Sequence, residues 1–172
     1  MRLLTACLAL LLFVAPHRAQ AVAETTYTGP FAYCAAVGTI DAPDARYIGA
    51  KVPIVIARGL QQATGAPSAE LFLTNSHWRC MDGKVYACTV GANIPCMSKA
   101  NTSRVPTQAM REYCRNNPGD GIIPMYVRDR ASIYDWGCEG AKPVITRQLT
   151  SPDARGFLSS FWYEIKQNGG AP

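Results

Sequence analysis

The chain has 172 residues, is 48% hydrophobic and 17% charged, and carries 17 Lys+Arg against 12 Asp+Glu for a formal charge of +5. That length suits one domain, and the basic residues are scattered rather than set in a stripe that tracks a phosphate backbone, so nucleic acid is not an expected partner. Seven cysteines without a C-x-x-C or haem-attachment motif argue against zinc and haem and for disulfides.

The chain begins as an export signal. Met1-Arg2 supplies a positive start, and "LLTACLALLLFVA" is an apolar run too short to span a bilayer. "AQA" and "AVA" offer cleavage after Ala21 or Ala23, which makes residues 1–23 a signal peptide and 24–172 a single exported domain, periplasmic or secreted. Leu4-Thr5-Ala6-Cys7 imitates a lipoprotein signal, but almost no apolar segment precedes Cys7, so it leaves with the signal. Without Arg2 and Arg18 the 17 basic residues fall to 15 against 12 acidic, a balance of +3. His17 is also lost, so His77 is the only histidine of the exported domain. Six cysteines remain: Cys34, Cys80, Cys88, Cys96, Cys114 and Cys138. An even count in an exported chain predicts three disulfides, with fifteen possible connectivities. No later run is long enough to cross a membrane.

"ETTYTGPFA" reads as a loose lead-in, "YCAAVGTI" as a short buried strand, and "DAPDARYIGAK" as a loop. A helix is expected over about 53–64. Pro53 suits its first position and Gly65 the residue past its end, with Ile54, Ala57, Leu60 and Gln61 on one face. Gly59 opposes it by about 1 kcal/mol relative to alanine. "AELFLTNSHWRC" reads as strand, and "GANIPCMSKANTSRV" as a loop whose Asn101-Thr102-Ser103 fits a glycosylation acceptor. A second helix is expected over about 106–116, with Ser103 as cap and Ala109, Met110, Tyr113 and Cys114 on one stripe. "IIPMYVRDRASIYDWGC" is strand-like with a break at Asp129-Arg130, and "KPVITRQL" is a strand. "SPDARGFLSSFWYEI" allows a helix or a turn and strand, before a frayed tail. The fold class is α+β, mainly β hairpins with two short helices, in a small disulfide-braced domain.

"HWRCMDGKVYAC" holds the most information. Asp82-Gly83 is a two-residue hairpin turn, because glycine accepts the positive φ of a primed turn. The register then pairs Met81 with Lys84, Cys80 with Val85, Trp78 with Ala87 and His77 with Cys88. Trp78, Cys80, Val85 and Ala87 share the core face. Cys80 and Cys88 point to opposite sides, so they are not expected to bond to each other, and each is expected to reach a distant partner. His77 beside Cys88 would make an activated thiolate only if Cys88 were free. Loop closure suggests Cys96–Cys114, with the other four cysteines joining the hairpins and the Cys34 strand. An echo runs from Trp78-Arg79-Cys80-Met81-Asp82-Gly83-Lys84-Val85 to Trp136-Gly137-Cys138-Glu139-Gly140-Ala141-Lys142-Pro143-Val144. It suggests two similar hairpins, each with a tryptophan packed by a cystine.

"WRCMDGKVYACTVGANIPCMSKA", "YCRNNPG" and "IYDWGCEG" resemble a family of small exported, cysteine-containing bacterial proteins of uncharacterised function, over about residues 46–145. The resemblance implies an envelope or extracellular setting and supplies no catalytic residues. A binding module for a protein or glycan is the first expectation, with Trp136, Tyr86 and His77 as contact residues. One form of it is an inhibitor of an envelope enzyme, since "YDWGCEG" resembles hairpins of some lysozyme inhibitors. Tyr126, Tyr134 and Trp162 are further aromatics, more often core than contact. A hydrolase is the alternative, using His77 or a pair among Glu112, Asp135, Glu139 and Asp153. Ser76 adjoins His77, but neighbouring strand residues point apart, a poor arrangement for nucleophile and base. A structural envelope subunit is the third. No metal or cofactor motif is present.

Overall fold

The structure is a computed structural model describing residues 24–167. The expected signal peptide and the end of the tail lie outside the described residues. Four helices, α1 (Pro30–Val37), α2 (Ile54–Thr64), α3 (Gln108–Asn116) and α4 (Met125–Arg128), accompany five strands. These are β1 (Ser76–Met81), β2 (Lys84–Thr89), β3 (Tyr134–Glu139), β4 (Lys142–Gln148) and β5 (Tyr163–Ile165). One sheet has the order β1-β2-β5 and the other is the β3-β4 hairpin, all antiparallel. The chain is α+β, as expected, and no described helix is long and apolar enough to cross a membrane.

The first hairpin has the expected register, from Met81 opposite Lys84 to His77 opposite Cys88. Asp82 and Gly83 take φ of 53° and 76°, the signature of a primed turn. Trp78, Cys80, Val85 and Ala87 all face the core. α2 begins after Pro53 and ends at a left-handed Gly65. Its buried face is Ile56, Ala57 and Leu60, whereas Ile54 is exposed, so the apolar stripe is rotated from the expected one. Gly59 is there for contact: a Cβ would meet Ile165 of β5 at 2.7 Å, so only glycine lets the strand press against this helix.

Several expectations fail for physical reasons. "YCAAVGTI" belongs to a helix, not a strand. Pro30 opens α1, Gly38 closes it at φ 76°, and Pro30, Tyr33 and Cys34 are buried at helical spacing. The lead-in is held, because Tyr27 N–H donates to Arg46 and its carbonyl accepts from Ile48. Thr107, not Ser103, caps α3, accepting from the Met110 N–H. Ala69–Phe72 and Ser159–Phe161 are 3₁₀ turns, and Met125–Arg128 is a helical turn rather than strand.

The disulfides are Cys34–Cys80, Cys88–Cys96 and Cys114–Cys138. Cys96–Cys114 is therefore incorrect, and Cys88 closes a local loop with Cys96 instead of reaching a distant element. Cys80 and Cys88 do point apart. The hairpin echo extends into the helices. Tyr33-Cys34 on α1 bonds to Trp78-Arg79-Cys80, and Tyr113-Cys114 on α3 bonds to Trp136-Gly137-Cys138. After each helix the chain returns to its hairpin: Gly83 N–H donates to Gly38, and Gly119 N–H to Gly140. Two helix–cystine–hairpin units result, each with its own core.

A third cluster, Cys88, Cys96, Phe157 and Trp162, lies on the other face of β1-β2. Arg79, fully buried, spans it. Its guanidinium carbon lies 4.4 Å from the Phe157 ring centre and 4.2 Å from that of Trp162, and it pairs with Asp153. Nε and Nη1 have no hydrogen-bond partner among the described residues. The two ring faces offset part of that cost.

Candidate functional site

A cleft of about 380 Å³ opens where the loop after α1 faces the first three residues of β1. Ala42, Pro43 and Asp44 line one side and Ser76, His77 and Trp78 the other. Tyr47, Gly49 and the exposed Lys51 and Met97 complete the lining. The sequence builds it locally. Tyr47 sits edge-to-face with Trp78, ring centres 4.7 Å apart, and with Tyr33 at 5.5 Å. Trp78 Nε1 donates to the Lys51 carbonyl at 2.9 Å, which fixes the loop against the strand. Gly49 lies under the Tyr47 hydroxyl and the Thr28 carbonyl, where a Cβ would clash with both.

The polar groups divide into spent and unspent. The Asp44 N–H donates to the Tyr33 hydroxyl at 3.0 Å, and the Asp44 carboxylate is held by Arg46 at 2.5 Å. The Arg46 hydrogen bond keeps that carboxyl ionised, lowering its pKa to about 2. Asp44 is thus committed. Ser76 is only 2% exposed, and its Oγ has no partner among the described residues. The buried Tyr47 hydroxyl has none either. Burial raises the Tyr47 pKa, so the hydroxyl remains a donor. Burial first, and then the Lys51 charge, lower the His77 pKa, which leaves the imidazole neutral at pH 7. Both oxygens are sealed within the wall of the cleft, so the polar group presented at its surface is the exposed Lys51 ammonium.

Of the expected contact residues, His77 alone lines this cleft. Tyr86 is half-buried against the third cluster, its hydroxyl 3.4 Å from Glu164. Trp136 is 3% exposed inside the second core, so its indole offers no surface to a partner. Cys88 is bonded to Cys96, so His77 faces a cystine rather than a thiolate. The carboxylates do not gather. Asp135 pairs with Arg128 and Arg147, Asp153 with Arg79, and Glu112 accepts from Gln108. Among the described residues no group of three His, Cys, Asp or Glu is placed to hold a metal ion. Tyr47 and Lys51 were not expected. They lie in or beside a stretch read only as a loop, and the pairing of that loop with β1 has no local sequence signal.

Comparison with protein-family models, with the curated proteins and with the solved structures finds no match to this chain. The three disulfides are those of a protein that folds in an oxidising, exported setting.

Proposed function

We propose that this chain is a non-catalytic binding module of the periplasm or extracellular space, and that the cleft between the 42–51 loop and β1 takes its ligand. One observation carries it: an open cleft of about 380 Å³ lies between the 42–51 loop and β1 and includes the exposed Lys51, which forms no ion pair among the described residues. A rigid scaffold braced by cystines suits recognition, because little ordering remains to be done on binding. The family that the "WRCMDGKVYAC" and "YDWGCEG" motifs resemble supports the same compartment. An inhibitor of an envelope enzyme would be one form of this activity.

The hydrolase alternative has less behind it. Ser76 Oγ makes no hydrogen bond to His77, and the one acid lining the cleft, Asp44, is occupied by Arg46. The test is titration of the oxidised, isotope-labelled domain with envelope peptides and glycan fragments, followed by the amide and side-chain signals of residues 42–51 and 76–78. Shifts confined to the cleft, with the ligand recovered unchanged, are expected. Turnover that disappears in His77→Ala would instead establish the hydrolase.

A further inference from the structure

We propose that α4 and the turn after it form a second ligand site, one that takes a neutral saccharide. The site is a cleft of about 390 Å³ lined by Pro95, Ser98, Met125, Tyr126, Asp129 and Arg130. None of these residues lines the cleft beside β1, so the two sites stand or fall separately. The volume falls in the range of about 300–1,000 Å³ common to small-molecule sites. Tyr134 and Trp162 are core residues, but Tyr126 is 78% exposed, the most exposed large hydrophobic side chain among the described residues. The fold holds it there. The Pro124 carbonyl accepts from the Val127 and Arg128 amides, and the fully buried Ile123 fixes the chain just before. Buried Arg128 fixes the other end, pairing with Asp135 and donating to the Tyr134 carbonyl at 3.1 Å. The tyrosine ring therefore stands on a braced turn, where binding has little left to order.

The polar groups beside the ring are exposed and unspent. Asp129 takes φ 85° and ψ 131°, a strained backbone for a residue with a side chain. Its two carboxylate oxygens accept one hydrogen bond each, from the Ala131 amide and from the Asn101 side-chain amide, both at 3.0 Å. Neither donor is charged, and each oxygen keeps accepting capacity. Arg128 on one side of it is committed to Asp135, whereas Arg130 on the other is exposed and forms neither ion pair nor side-chain hydrogen bond among the described residues. This pair of charges selects a neutral ligand. An anion drawn to Arg130 meets the Asp129 carboxylate, and a cation drawn to Asp129 meets the guanidinium. A polyol satisfies both, because a hydroxyl donates to the one and accepts from the other. A sugar ring adds a flat C–H face that lies on an exposed aromatic ring, and the exposed Ser98 offers a further hydroxyl partner. Arg130 and Met125 also line a recess with exposed Asn93 and Ser160, which continues the polar surface past one sugar ring.

The experiment titrates the isotope-labelled, oxidised domain with maltose, lactose and cellobiose, and separately with inorganic phosphate and with acetate. At least one disaccharide is expected to shift the Tyr126 ring and the Ser98, Asp129 and Arg130 amides while residues 42–51 stay in place. Tyr126→Ala should weaken that binding about tenfold and Arg130→Gln about fivefold, and Lys51→Gln should leave it unchanged. Tyr126 and Arg130 are exposed and make no side-chain hydrogen bond among the described residues, so both variants keep the fold. Shifts at Arg130 from phosphate or acetate, with none from a sugar, would overturn the saccharide in favour of an anion. Sugar binding undiminished by Tyr126→Ala, or seen only at residues 42–51, would overturn the site. Silence of Tyr126 towards all three disaccharides would do the same and leave the cleft beside β1 untouched.

Discussion

His77 and Arg79 lie two residues apart on the same face of β1 and differ in what surrounds them. His77 has no acid to stabilise its cation, so burial and Lys51 depress its pKa. The unfolded chain therefore binds its proton at higher pH than the folded one, and stability falls as pH drops below the ordinary histidine range. An imidazole titration followed by NMR should give a value below that range. Lys51→Gln should raise it part of the way only, because burial is the larger cause. Around Arg79, Asp153 and two aromatic faces take the place of water. Burial raises the Asp153 pKa, but hydrogen bonds from Arg79 and from the Phe157 and Arg155 amides outweigh it and leave it lowered. Asp153→Ala should cost about 3 kcal/mol in urea denaturation, since it strands a buried guanidinium. Arg79→Met with Asp153→Leu should recover most of that loss. A double variant as unstable as Asp153→Ala would show that the aromatic faces, not the ion pair, hold this cluster.

At the level of elements, what was legible in the sequence was local. The Asp82-Gly83 turn sets a register that follows by counting, and α2 has proline and glycine at its ends. α1 was missed because eight residues of mostly small apolar side chains show no polar face, although Pro30 and Gly38 bracket them as a helix. The Cys96–Cys114 expectation failed because loop length says nothing about direction. Cys114 faces β3 from α3, while Cys96 lies with Phe157 and Trp162. The Trp-x-Cys echo is visible in the sequence, but its partners, the Tyr-Cys pairs of α1 and α3, lie 46 and 24 residues upstream with no local signal that joins them to it. The bonds close separations of 46, 24 and 8 residues. Loop entropy alone ranks their contributions at about 4, 3.5 and 2.5 kcal/mol. Pairwise Cys→Ala variants should lose stability in that order, Cys34–Cys80 first. Were Cys88–Cys96 the costliest to remove, packing of the third cluster would outweigh chain entropy.

For the molecule as a whole, chain order and spatial order disagree. The first unit is laid down from Tyr27 to Thr89, the second occupies 108–148, and the chain then returns to finish the first: Asp153 meets Arg79, Trp162 covers the guanidinium, and β5 pairs with β2 through Val85 and Ile165. No window of sequence carries that return, which is why the 152–165 stretch could be read as helix or strand with equal ease. It also means that the first core stays open until the last segment docks. Ile165 reaches α2 against Gly59, so the helix beside the cleft-bearing sheet depends on residues more than a hundred positions later. A chain ending at Ser151 should accordingly keep its six cysteines but lose the means to pair them uniquely. Arg79 would lose its acid together with the Phe157 and Trp162 rings that cover it, and β2 would lose its pairing with β5. The expected outcome is loss of a cooperative denaturation transition and scrambled Cys34, Cys80, Cys88 and Cys96 on peptide mapping. The Cys114–Cys138 bond closes within the second unit and should survive more often than the other two. A truncated chain that still unfolds cooperatively with all three native bonds would mean that the returning segment covers a finished core rather than completing one.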